Sequence, residues 1–159
     1  MEKSVASGDA GDMLIEARKK AMDYLARREY GCEELINKLL RAGFEPGVAD
    51  TAVARLVGDR LQSDARFVEA FITSRISQGK GPLRIRADLH ERGIADAEIT
   101  TGLEATSHDW QAAAIEVRRK KFGARRPVDF ADKARQMRFL QSRGFDTDQI
   151  QAAVSASSD

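Results

Sequence analysis

From Asp12 onward, apolar residues recur at steps of three, four and seven, placing Leu14, Ile15, Ala21, Met22 and Leu25 on one predicted helical face. The next periodic segment, EELINKLLRAGF, groups Leu35, Ile36, Leu39 and Leu40 and stops at Gly43. A third begins after Pro46, with Val53, Leu56, Val57 and Leu61 on its apolar side. No alternating run of strand length stands between turn signals, so no sheet is expected. Residues 1–11 are small and polar and read as a flexible leader.

The end of the second segment recurs along the chain. RAGF at Arg41–Phe44, ERGI at Glu91–Ile94 and SRGF at Ser142–Phe145 each place glycine before a large apolar residue. The glycines Gly43, Gly93 and Gly144 are 50 and 51 residues apart, and each follows a leucine by four positions: Leu39, Leu89 and Leu140. Glycine accepts the left-handed conformation that ends a helix, and the apolar residue after it can fold back on the last turn. Pairs at six and ten residues beyond each glycine, such as Ile99 and Leu103, then start another apolar face. The pattern predicts an all-α chain of three tandem three-helix repeats, 12–61, 62–106 and 107–159, the last with a short flexible tail. SDARFVEAFITSRISQG opens the second repeat with Phe67, Phe71 and Ile72 buried, and HDWQAAAIEVRRKKFG opens the third with Trp110, Ala113, Ala114 and Val117 inward. Stacked repeats should form an elongated, curved array of unassigned hand with a long concave surface.

Catalytic and ligand motifs add little. Gly79-Lys80-Gly81-Pro82 superficially suggests a phosphate loop, but it lacks the GK[ST] element, follows a helix, and loses an N–H at proline. Proline after glycine is instead a good helix start. His90 and His108 are isolated, and the single Cys32 allows neither an internal disulfide nor a metal site of its own. No nucleophile stands beside a base. The expectation is a non-enzyme without cofactor or metal. With no apolar run of bilayer length and no secretory signal, it is expected in the cytoplasm.

Charge is uneven along the chain. The first sixty residues carry ten cations against eleven anions, whereas residues 118–143 carry ten Lys/Arg against Asp129 and Asp132. A smaller basic group, Arg75, Lys80, Arg84, Arg86 and Arg92, stands against Asp88 and Glu91. Arg84 and Asp88 are spaced as an ordinary surface pair. The basic back half suits a polyanion or an acidic protein groove, and few aromatics are available for a base-stacking platform.

YLARREYGCEELINKLLRAGF, DARFVEAFITSR, GKGPLRIRADLHERGI, KKFG and RQMRFLQSRGF, in this order and spacing, resemble the RecX family of bacterial RecA regulators. The resemblance runs from about Ala17 to Val154. It implies a negative regulator that binds the groove of the RecA–ssDNA filament and inhibits its ATPase, strand exchange and co-protease activities, modulating recombination, DNA repair and the SOS response. Weak intrinsic affinity for single- or double-stranded DNA fits the same picture, as does a monomer without membrane association. The alternative is a general DNA-binding helical-repeat protein that competes with the recombinase for DNA. Carried onto this chain, the contact candidates are Arg66, Arg75, Lys80, Arg84 and Arg92, and in the last repeat Lys120, Lys121, Arg125, Arg126, Arg135, Arg138 and Arg143. Phe67, Phe71, Leu89, Ile94, Phe139, Leu140 and Phe145 are expected in the core.

Overall fold

The computed structural model describes residues 2–156, with side chains from residue 9 onward. Among the described residues there are nine helices and no strand: α1 (Glu2–Leu25), α2 (Cys32–Arg41), α3 (Pro46–Gly58), α4 (Asp64–Ser77), α5 (Pro82–Glu91), α6 (Asp96–Thr106), α7 (Trp110–Phe122), α8 (Phe130–Arg143) and α9 (Thr147–Ser155). They make three successive groups of three. Helix α1 reaches back into the stretch read as a leader, with Met1 outside the described residues. Once a turn exists each further residue adds a hydrogen bond, and Gly11, whose missing Cβ faces open space, costs only about 1 kcal/mol. Most of the expected C-terminal tail, residues 157–159, lies outside the described residues.

The chain divides into two compact units: residues 1–70 with 92–98, and residues 71–91 with 99–159. The division runs through the middle group of helices. In the first unit α3 packs on α1 and α2 around Ala17, Ala21, Leu35, Leu39, Val53 and Leu56. The face of α1 differs from expectation: Ile15 is 64% exposed and Met22 42% exposed, while Ala17 and Ala21 are fully buried. Leu40, Val57 and Leu61 also lie outside this core. In the second unit α9 packs on α7 and α8 around Ala114, Leu140, Phe145, Ile150 and Val154. Trp110, Ala113 and Val117 are half-buried against that core.

The capping glycines act as the repeat predicts. Gly43 and Gly144 have φ of 100° and 98°. The amides of Phe44 and Phe145 donate to the carbonyls of Leu39 and Leu140, each at 3.2 Å, closing the last turns. Gly79, with φ of 77°, ends α4 in the same way, the Lys80 amide donating to the Arg75 carbonyl at 3.0 Å.

The other glycines of the repeat make a joint, and each unit holds one copy of it. In the second unit the Gly81 amide donates to the Arg143 carbonyl at 2.7 Å and the Leu83 amide to the Gly144 carbonyl at 2.9 Å. The Arg84 guanidinium adds a bond to the Ser142 carbonyl at 3.1 Å. The first amides of α5 thereby satisfy the last carbonyls of α8, groups that a helix leaves unpaired at its ends. A Cβ on Gly81 would run into the Gly144 carbonyl and lie 2.6 Å from the Phe145 nitrogen. In the first unit Gly31, at the start of α2, meets Phe67 and Ile94, while Gly93 lies against the Glu33 side chain. Arg92 pairs with Glu34 across the same contact at 3.7 Å. A buried Gln62 and Asp64 reinforce it, the Asp64 carboxylate accepting from the Cys32 amide at 2.7 Å and from Gln62 at 2.9 Å. The Gly-Lys-Gly-Pro segment therefore ends one helix, docks on another and starts a third.

Candidate functional site

Of the twelve candidate cations, Arg66 and Arg92 belong to the first unit and are engaged in structural contacts. Arg66 donates to the Glu29 carboxylate at 3.2 Å and to the Arg60 carbonyl at 3.0 Å, and Arg92 holds the joint to Glu34.

The second unit brings four of the others together. The turn after α4 places Lys80 beside α7 and α8, which contribute Lys120, Lys121 and Arg143 to one groove of about 460 Å³. Its remaining wall includes Ile76, Val117, His108, Glu116 and Phe139. Helix spacing explains the convergence on each element: Lys120 and Lys121 extend the last turn of α7, and Phe139 and Arg143 are one turn apart on α8. The Arg143 guanidinium and the Lys121 ammonium lie 5.2 Å and 5.5 Å from the centre of the Phe139 ring. That ring stands edge-on to Phe122 at 5.3 Å. Phe139 is therefore half-buried, packing against the core as expected on one side and lining the groove on the other. Its own face of α8 also carries Arg135 and Arg143 one turn to either side, which leaves part of the ring among cations.

Lys80 has the least comfortable charge. Loss of hydration holds its ammonium below the ordinary lysine range, and Arg143, Arg84 and Arg75 add repulsion that Asp88 only partly offsets. An anion entering here would relieve that repulsion. The only carboxylate on the groove wall among the described residues, Glu116, lies 4.0 Å from Lys120 in an exposed pair, a weak competitor for the cations. Four cations with an aromatic edge and an apolar floor suit a phosphodiester chain, whose charge the cations meet and whose sugars or bases the ring can contact. No group of residues suited to hold a metal ion occurs among the described residues.

The remaining candidates lie elsewhere. Arg75 stacks over Phe71 at 4.1 Å, and Arg84 is bound to Ser142 and 3.9 Å from Asp88. Arg135 bonds Asp132 at 2.7 Å. Arg138 lines a different groove, and Arg125 and Arg126 are exposed on the α7–α8 loop. Arg118, 1% exposed, anchors that loop by donating to the Gln136 side chain at 2.9 Å and to the Arg125 carbonyl. Burial and the neighbouring Arg119 push its pKa down, against Asp132. Asp132 completes the anchor by accepting from the Val128 amide at 3.1 Å and from Gln136 at 3.2 Å. A smaller cationic hollow in the first unit lies outside the twelve candidates: Lys20 and Lys38 are 5.7 Å and 5.0 Å from the Tyr24 ring centre, beside Arg41. The i,i+4 spacing of Lys20 and Tyr24 was its one sequence signal.

The fold defines a tandem helical-repeat protein built from three-helix units. Family models match in order along the chain: the first three-helix domain of RecX over residues 17–56, the second over 63–103 and the third over 109–154. The chain belongs to the RecX family. It is 42% identical over 144 residues to the regulatory protein RecX of Pseudomonas fluorescens, covering 91% of this chain and 93% of that one. It is also 42% identical over 148 residues to the regulatory protein RecX of Halorhodospira halophila, covering 93% and 92% respectively. Two crystal structures share the fold. One of a regulatory protein RecX gives a TM-score of 0.81 at 18% identity over 98% of this chain and 78% of that one. One of RecX from Lactobacillus salivarius gives 0.75 at 16% identity, over 91% and 96%. No helix among the described residues is long and apolar enough to cross a membrane.

Proposed function

We propose that this protein is a non-enzymatic negative regulator of the RecA recombinase. In this reading it acts as a monomer in the cytoplasm, lies in the groove of the RecA–ssDNA filament, and inhibits ATP hydrolysis, strand exchange and co-protease activity. Recombination, DNA repair and the SOS response are the processes it would modulate. Family membership over most of the chain supports the class. The observation that carries the mechanism is the convergence of Lys80, Lys120, Lys121 and Arg143 on one groove with a single carboxylate in its wall. Those four are the centre of the proposed contact with the filament's DNA.

A recombinase from the same organism, assembled on single-stranded DNA, tests this by titration of its ATPase. Inhibition at stoichiometric or lower amounts that persists in excess single-stranded DNA supports filament binding. Inhibition that disappears with excess DNA favours the second reading, competition for DNA, which the same cationic groove also supports. With all four cations on phosphates, log affinity for a single strand should fall with log salt at a slope of about −3. No inhibition over a wide concentration range rejects both.

A further inference from the structure

Helix α8 presents a second face to solvent. Phe130, Ala134, Met137 and Gln141 recur at helical spacing about half a turn from Phe139 and Arg143 on a 3.6-residue wheel. They line a groove of about 660 Å³ that Leu83, Phe145 and Ile150 help to close. Its apolar wall is open to solvent where a folded chain normally hides such groups: Phe130 is 86% exposed and Leu83 54%. Clustered exposure of this kind marks interaction surfaces.

The charge around this groove specifies the occupant. Lys133 and Arg138 stand on its wall without an ion pair among the described residues. The one carboxylate in the lining, Asp146, is committed to the capping box of α9, accepting from the Gln149 amide at 2.8 Å. An apolar ladder beside two free cations complements an amphipathic segment with apolar residues on one side and flanking carboxylates.

We propose that this groove docks an acidic amphipathic segment of the protein partner, so that opposite faces of α8 divide the work. The Phe139–Arg143 face takes phosphate, and the Phe130–Met137 face takes protein. The identity of the partner rests on the function proposed above; the chemistry of the groove does not.

The full chain carrying Phe130→Ser with Leu83→Ser, a second carrying Lys133→Glu with Arg138→Glu, and a third carrying Lys120→Glu with Lys121→Glu test the division. Three fluorescent or immobilised probes are used: oligo(dT), a synthetic leucine-faced peptide flanked by glutamates with its lysine-flanked counterpart, and recombinase filament on oligo(dT) with a non-hydrolysable nucleotide. The first two variants should lose about tenfold or more of their affinity for the glutamate peptide and the filament, as expected for a lost anchor, with oligo(dT) binding within about twofold. The third should lose oligo(dT) binding and keep the glutamate peptide. Equal binding of the two peptides, or loss of oligo(dT) by the first two variants, overturns the proposal, the latter by making the groove a nucleic-acid path. A wild-type dimer in sedimentation that the first variant dissociates also overturns it, because the occupant is then a second copy. Glutamate-peptide binding lost only in the first two variants, without any wild-type binding to filament, supports the groove and rejects the recombinase.

Discussion

Replacing Gly81 by alanine isolates the joint, because its neighbours make the cost steric. Its φ lies outside the left-handed range, yet a Cβ would collide with the Gly144 carbonyl and sit 2.6 Å from the Phe145 nitrogen. Backbone atoms cannot rotate aside, so α5 must move off the end of α8. Overpacking of this kind costs about 1–3 kcal/mol. Weakening the 2.7 Å and 2.9 Å bonds from Gly81 and Leu83 adds about 0.5–1.5 kcal/mol each, for a total of about 2–6 kcal/mol. Two other glycines serve as controls. Gly43→Ala meets no crowding but forces a φ of 100°, worth about 1–2 kcal/mol. Gly47→Ala, in open space on α3, should stabilise by about 0.5–1 kcal/mol. The sole tryptophan, Trp110, lies in the second unit, so its emission in urea reports on Gly81, while circular dichroism follows the whole chain. For an m-value of about 2 kcal/mol/M the Gly81→Ala midpoint should fall by about 1–3 M. A Gly81→Ala chain whose Trp110 midpoint stays within about 0.2 M of wild type refutes the joint.

Two further outcomes follow from the groove and its supporting loop. The depressed ammonium of Lys80 should acylate with a pH–rate midpoint below that of a free lysine amide, measured by peptide mass spectrometry. Bound oligo(dT) stabilises the protonated form, so it should raise that midpoint and bind more weakly as pH rises through it; a midpoint at or above the free amide contradicts this assignment. Arg118→Met should orphan the buried Gln136 oxygen, at about 1–3 kcal/mol, and release the Arg125 carbonyl. Trypsin should then cut at Arg125 several times faster at equal global stability, and an unchanged rate would leave Arg118 without an anchoring role.

Helix ends were more legible than helix faces. Gly43, Gly93 and Gly144 have the positive φ that a local requirement for glycine implies, and at Gly43 and Gly144 the leucine four residues earlier accepts the bond that closes the turn. The inward face of α1 follows fit and not apolar size. Where α1 approaches α3 closely, Ala17 and Ala21 fill the contact and the larger Ile15 and Met22 are left outside. The local sequence marks Gly81 as a helix start, which it is, but its partner Gly144 is 63 positions away and invisible to any local pattern. The basic window was similarly plain as a sum and opaque as a site. Lys80 joins Lys120, Lys121 and Arg143 only because the α4–α5 turn is docked on α8. Packing also decided which arginines were already occupied, as Arg66 by Glu29 and Arg118 by Gln136.

The joint has a donor end and a receiving end, and this polarity limits how many copies can be strung together. Twelve positions before the capping glycine stand Gly31 and Gly81, each leaving room for the glycine corner of the following repeat. The corresponding position in the third repeat is Asp132, already inside the first turn of α8 and holding Val128, Arg135 and Gln136. A fourth repeat fused after Ser155 would arrive with its own glycine corner and find a carboxylate in the seat. Growth by simple duplication therefore stops at this helix unless Asp132→Gly and a later start to α8 occur together.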